Sequence, residues 1–420
     1  MIKEQFLYFI WERQLFNHSF LKSTDNEIIE IIEKGTFNDH DGPDILEAKI
    51  KVDQTILVGS IEFHVNTSDW VKHKHHLDSN YNNVILHVVW RNDINIPSLK
   101  CPTLSLQGSV PKYYYDNYQK LTESSKKLPC SHAINQLDDK WLIEYRKEIL
   151  RIRIDLKIKE VLNDFTNIKL DKIYQVFMSV LGSPQNAYGF NKLSKILPYQ
   201  ILNKYKNDKH RLEAILFGVS GLLHEQKIDR GDYISQLKQT YLYFNTLHSF
   251  TEMSKSDWIF LRVRPSSFPT VRLSLLADLF CKINSIEDFI LNESFDSISK
   301  TLNELESTTY WNTHYVFNKP SKYSKKSIGK LTILKLWINA IIPLRILYSE
   351  NKKKAVENSL LFLESKPSEP NKVNRLMRSN GFQCDNALQS QFNLHKYKYY
   401  CIPRKCLNCG IGYKIIRSYD

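Results

Sequence analysis

GPDILEAKIKVDQTILVGSIEFHV, residues 42–65, is the stretch on which the reading of the first quarter of the chain turns. Apolar residues alternate through 44–52 and again through 56–65, the period of strands with one face on a core. The first run opens with Asp44 directly after Pro43, and the second carries Glu62 and His64 two residues apart. Side chains on a strand point to opposite faces in turn, so Ile61, Phe63 and Val65 share one face while Glu62 and His64 share the other. If the two runs pair, Asp44 comes near Glu62. The two carboxylates are then either the ends of an ordinary hairpin or a hard-oxygen site suited to Mg²⁺ or Mn²⁺.

On either side of this stretch, residues 27–33 (EIIEIIE) and 84–90 (VILHVVW) also read as strands, being short and rich in β-branched residues. Between the third and fourth strands lies SDWVKHKHHLDSNYNN, where Ser68 or Asp69 can cap a short helix. The N-terminus, MIKEQFLYFIWERQLF, reads as an amphipathic helix. Glu4, Glu12 and Arg13 interrupt its apolar run and no small-residue cleavage site comes after it, so the expected location is cytoplasmic. The order is helix, three strands, short helix, strand, and the solidly apolar fourth strand belongs inside the sheet.

Gly108, Pro111, Pro129 and the polar run TESSKK make 107–140 the expected linker between an α/β domain at 1–106 and a helical region beyond it. In WLIEYRKEILRIRIDLKIKEVL, apolar residues then recur every three or four positions, and further helices are expected near 172–181, 208–224, 232–250, 271–283 and 330–348. The expected architecture is therefore an α/β domain, a large all-α domain at 141–395, and a small cysteine knuckle at 396–420. No apolar run reaches the roughly 18 residues of a membrane span. With 420 residues, 42% hydrophobic, the chain can bury cores for two or three domains. A net charge of +13 points to a polyanionic partner, nucleic acid above all, although an AT-rich genome alone can make a chain this rich in lysine.

Gly42-Pro43-Asp44, seventeen intervening residues, and Glu62-Phe63-His64 resemble the signature of the PD-(D/E)XK nucleases, within the same element order. The resemblance covers about the first hundred residues. It implies a restriction-endonuclease-like fold in which Asp44 and Glu62 hold the metal. The superfamily's lysine, which assists the attacking water, is replaced here by His64, an imidazole that could orient water or supply a nitrogen ligand favouring Mn²⁺ or Zn²⁺. A second resemblance spans nearly the whole chain. GPDILEAKIKV, GSIEFHVNTSDWVKHKHHLD, YNNVILHVVW, RVRPSSFPTVRL and CIPRKCLNCGIG are similar to the bacterial family catalogued as domain of unknown function 2851. That likeness implies a shared architecture and no activity.

Three further groups carry chemistry. His73, His75 and His76 lie close to Asp78, with His87 in the next strand, and could hold a metal or a phosphate. In RVRPSSFPTVRL, Arg262, Arg264 and Arg272 surround a turn braced by Pro265 and Pro269, with Thr270 a candidate cap for a helix starting near Val271. These arginines either bind phosphate at the helix start or tie helix ends to carboxylates. Cys401, Cys406 and Cys409 have metal-ligand spacing, with Cys130 the first choice for a fourth ligand and Cys384, His395 and His132 behind it. Joined by Cys130, they resemble the iron–sulfur staple of certain nucleases. There the lone cysteine precedes the nuclease core, and here it comes after, which favours Zn²⁺ over [4Fe–4S]. The leading functional expectation is metal-dependent phosphodiester hydrolysis. Its rivals are a non-catalytic nucleic-acid-binding or scaffold protein with a degraded site, and a zinc enzyme using the histidines on a small molecule.

Overall fold

A computed structural model describes residues 2–18, 21–223 and 233–418. The chain divides into two compact units. One gathers residues 1–145, 371–384 and 393–420, and the other residues 146–370 and 385–392.

The first unit is a mixed α/β sheet domain. Helix α1 (Glu4–Glu12) buries Phe6, Leu7, Phe9, Ile10 and Trp11, the apolar side of the amphipathic pattern. Strands β1 (Ile29–Glu33), β2 (Thr36–Phe37), β3 (Ile45–Val52) and β4 (Thr55–Asn66) come next, then the short helix α2 (Asp69–Lys72), β5 (Val84–Arg91), β6 (Thr103–Ser105) and helix α3 (Lys112–Thr122). The sheet order is β1-β3-β4-β5-β6, with β2 paired to β3 beside β1. β3 and β4 form the antiparallel hairpin expected from the alternation, whereas β5 and β6 run parallel to β4. Parallel neighbours need both faces covered, and Gly59 to His64 are indeed buried on both. Phe63 faces α1, edge-on to Trp11 at 5.6 Å and Tyr8 at 5.4 Å between ring centroids. On the opposite face Trp70 of α2 belongs to a small core with Val84 and Ile96.

The structure corrects two expectations in this unit. Residues 107–140 contain α3, which buries Tyr118 and Leu121, so one tyrosine of the cluster there is core while Tyr113, Tyr114 and Tyr115 are half-buried. Tyr118 packs on Phe6, and Asn117 Nδ2 donates to the carbonyls of Ile415 (3.1 Å) and Ser418 (2.9 Å). A polar, Pro-flanked composition concealed a helix that is half-buried. Strand β6 also escapes the sequence reading, because three residues are too few to show a period.

The second unit is mainly helical, including most of Asp139–Asp164, then Lys169–Gly182, Lys209–Val219, Tyr233–His248 and Pro269–Lys282. The expected helix at 330–348 is two α-helical stretches, Lys330–Leu336 and Ile342–Leu347, joined by a π-helical turn at Trp337–Ile341. A short antiparallel pair, His314–Val316 with Lys319–Pro320, is the sheet that periodicity did not show. Buried Glu213 is held by hydroxyls of Ser274 (2.5 Å), Thr308 (2.7 Å) and Tyr233 (2.9 Å), which satisfy a carboxyl that burial would otherwise penalise heavily. No helix among the described residues is long and apolar enough to cross a membrane.

Candidate metal centre

The turn before β3 aims Asp44. Gly42 has φ +108°, a left-handed backbone open to glycine, and Asn38 Nδ2 donates to the carbonyls of Asp41 (3.2 Å) and Pro43 (3.0 Å) to close the loop. Just past Asp44 the register slips, since Ile45 pairs with Ile61 but Ala48 with Gly59, and Glu47 takes a positive φ. This bulge twists the strand end and sets Asp44 against β4. There its Oδ2 accepts the Phe63 backbone N–H (2.9 Å) and its Oδ1 the Tyr8 hydroxyl (2.8 Å).

Glu62 sits between two sets of groups. Its Oε2 accepts the Asp44 backbone N–H at 3.1 Å, while its Oε1 lies 3.2 Å from His75 Nε2 and 3.6 Å from His64 Nε2. His64 Nε2 is in turn 3.1 Å from His73 Nδ1, and His64 Nδ1 is 2.9 Å from His87 Nε2. His64, His73 and His75 offer nitrogens that all lie within 4.8 Å of one another, a spacing compatible with one ion. The His75 nitrogen has no aligned hydrogen bond despite its closeness to Glu62. A nitrogen left without a hydrogen-bond partner beside two further imidazole nitrogens suits a common cation. The strand register places Glu62 opposite His87 and His64 opposite Val89, which puts His87 beside His64.

Burial governs the electrostatics. At 5% and 1% exposure, Glu62 and His64 are not on an open strand face. Desolvation, then the neighbouring Asp44 charge, pushes the Glu62 carboxyl up to about 9. Asp44 is also raised by burial, but the Phe63 N–H and the Tyr8 hydroxyl, both donating to its carboxylate, oppose this. Desolvation followed by nearby imidazoles pulls His64 down to about 2, while His75 falls to about 4, by burial and then His73, and His87 to about 3, by burial and then His75. All three rings are neutral at pH 7 and keep a lone pair.

Because Glu62 is raised above its unfolded value, its contribution to the stability of the metal-free chain is complete below about pH 4.5 and lost as pH climbs toward 9. A bound cation must displace that proton. Mn²⁺ or Zn²⁺ affinity should therefore rise about tenfold per pH unit from 7 and level off near 9, with about one proton released at pH 7. Titration calorimetry in buffers of different ionisation enthalpy measures that proton, and an affinity flat across this range would exclude Glu62 as a ligand.

The remaining expected residues fall elsewhere. His76 is exposed and outside the trio, and Asp78 accepts the Asn80 N–H (2.9 Å) at the start of a short turn. Arg262 and Arg264 are exposed in the second unit, whereas Arg272 is buried there, its Nη2 3.5 Å from Ser267 Oγ and 3.4 Å from Thr332 Oγ1. The helix there begins at Pro269, just before the expected start, and Thr270 donates to the Tyr315 carbonyl (2.5 Å) instead of capping it. Cys130, Cys401, Cys406 and Cys409 line one small cavity in the first unit.

Sequence reasoning missed four residues. Tyr8 holds Asp44, and Glu4 lies within electrostatic reach of both Asp44 and His73. Arg404 and Lys405 join Tyr8, Glu12, Asn38 and Asp44 in lining an open cleft of about 430 Å³. A helical wheel assigns α1 a core face but does not say what its flank overlooks, and only the lysine-arginine content of IPRKCLNC hinted at the other two.

The family described as "Protein of unknown function (DUF2851)" matches residues 4–372, a span that includes the whole acid–histidine centre and Cys130 but ends before Cys401. No curated protein and no solved structure matches the chain.

Proposed function

We propose that this chain, which belongs to the DUF2851 family, is a metal-dependent phosphodiesterase acting on nucleic acid. The observation that carries the reading is Glu62, with one carboxyl oxygen toward Asp44 and the other toward His75 and His64. Element order supports it too, since α1, β1, β3, β4, α2 and β5 keep the sequence of elements that the nuclease resemblance implies, with β2 an added edge piece. That donor set of imidazoles and carboxylates suits Mn²⁺ or Zn²⁺ better than Mg²⁺, which prefers oxygen. Such an ion would supply a water acidic enough to attack phosphorus near neutral pH.

The chain's own groups divide the remaining work. Tyr8 and the Phe63 N–H favour the ionised form of Asp44 and fix its direction. Glu4, whose carboxyl is raised by burial and then by Asp44, would be the group to accept the proton of the attacking water. Across the cleft, Arg404 and Lys405 provide cations for the substrate phosphate. A zinc enzyme acting on a small molecule remains the second reading, because three imidazole nitrogens do converge.

Cleavage of single- and double-stranded DNA and RNA by the full chain, with Mn²⁺, Zn²⁺, Mg²⁺ or EDTA, tests the proposal. The expected order is Mn²⁺ or Zn²⁺ well above Mg²⁺, with no turnover in EDTA. Absence of cleavage by metal-loaded protein on all four substrates would overturn the phosphodiesterase reading.

A further inference from the structure

The cleft beside Asp44 carries an aromatic ring that metal chemistry does not use. Phe37, on the edge strand β2, lines the cleft with 41% of its surface exposed. Among the described residues no other phenylalanine or tryptophan is so open to solvent. Edge strands are commonly blunted by charge, and an uncovered ring forgoes the stabilisation that burial would give it.

The sheet sets where that ring stands. Phe37 is paired with Ile45, and the Asn38 N–H donates to the Asp44 carbonyl at 2.9 Å, so β2 runs alongside the residue that meets Glu62. Tyr8 joins the two. Its ring packs edge-on with Phe37 at 5.7 Å between centroids, and its hydroxyl donates to Asp44 Oδ1 at 2.8 Å. One tyrosine therefore separates the exposed ring from the carboxylate.

The turn that bears the cations is tied down as well. The Lys405 N–H donates to the Tyr400 carbonyl (2.8 Å), Arg404 takes a left-handed φ of +56°, and its Nη1 donates to the Ser124 carbonyl (3.0 Å). Gln5 and Asn408 add side-chain amides to the lining. Glu12, Asp39 and Asp44 lie in the same cleft, so net charge alone would attract a polyanion weakly there. At about 430 Å³ the cleft falls in the range of small-ligand pockets, room for about one nucleotide. In a duplex the faces of the bases are stacked on their neighbours and closed to a side chain. In a single strand they are free, and stacking on an aromatic ring accepts any base.

We propose that the Asp44 cleft takes one nucleotide of single-stranded nucleic acid, its base stacked on Phe37 and its phosphate held by Arg404 and Lys405. Phe37 is then the residue that selects unpaired over paired substrate. The inference rests on the phosphodiesterase reading for the fate of the bound strand, whereas the stacking itself requires neither metal nor turnover.

The test is fluorescence anisotropy of the full chain in EDTA, with a short labelled oligothymidylate and a duplex of the same length as probes. The single strand should bind about tenfold tighter or more, and Phe37→Ala should lower that affinity about 5- to 100-fold while leaving duplex binding unchanged. Phe37→Trp should keep single-strand affinity. Phe37→Leu retains apolar contact with Tyr8 but has no ring, so it should lose affinity as the alanine variant does, and it serves if that variant fails to fold. Lys405→Gln should weaken both probes alike, as loss of a phosphate contact does. No binding of the single strand, equal binding of both probes, or wild-type affinity in Phe37→Leu would overturn the inference. Cleavage is not read in EDTA, so a chain that binds the single strand in this way yet never cuts it would fail the phosphodiesterase reading and keep this one.

Discussion

Glu62→Gln should abolish metal-dependent cleavage, with a loss of at least about 10²- to 10³-fold, the scale seen when one preorganised electrostatic group is removed. The substitution keeps shape and volume but replaces an oxygen ligand with an amide. Glu62 is the side chain that touches both halves of the centre, through Oε2 toward Asp44 and Oε1 toward His75 and His64. Folding should survive, because its carboxyl is held protonated near neutrality and an amide is a close mimic of that form. Melting of the metal-free protein should therefore stay near wild type, whereas the melting shift produced by Mn²⁺ should vanish with activity. Asp44→Asn should cost a similar factor in rate for a different reason. It receives the Tyr8 hydroxyl and the Phe63 N–H, so an amide must turn one NH toward a donor. Full activity in both variants would take the hairpin out of the chemistry.

Much of this centre could be read from residues 42–65, because one strand period and one Gly-Pro turn together bring Asp44 to Glu62. The burial could not. Glu62 and His64 stand on the polar side of an alternating strand, the usual signature of a solvated face, yet α2 and the histidine loop cover them. Local periodicity describes a strand and is silent about what closes over it. For the same reason the histidines at 73 and 75, too close in sequence for a helical i, i+4 pair, meet only because Lys74 takes φ +63° and turns the chain between them. Three of the four cysteines were legible from spacing, but that Cys130 lines the same small cavity is a property of the folded chain. In the second unit, RVRPSSFPTVRL reads as one basic cluster, yet Arg272 lies on the first turn of a helix whose surface is almost wholly buried. Adjacent arginines there do not share an environment.

His64→Lys separates two accounts of the same position, and its expected result is loss. If His64 stood where a nuclease lysine merely assists water, restoring lysine would preserve or raise Mg²⁺-dependent activity. The surroundings argue otherwise: His64 is 1% exposed, with His87 2.9 Å from one ring nitrogen and His73 3.1 Å from the other. An ammonium there has no lone pair for a cation and would be buried beside three imidazoles. Its flexible stem also cannot hold the ring's two fixed directions. Mn²⁺ affinity should fall by more than the roughly 10- to 100-fold typical of losing only an outer-shell partner. His76→Lys, at an exposed position outside the trio, should leave affinity unchanged. Equilibrium dialysis with Mn²⁺ on both variants, read beside cleavage rates in Mg²⁺, decides between the accounts. Unchanged Mn²⁺ binding with raised Mg²⁺ activity in His64→Lys would return His64 to the lysine's role and leave Asp44 and Glu62 to hold the metal without it.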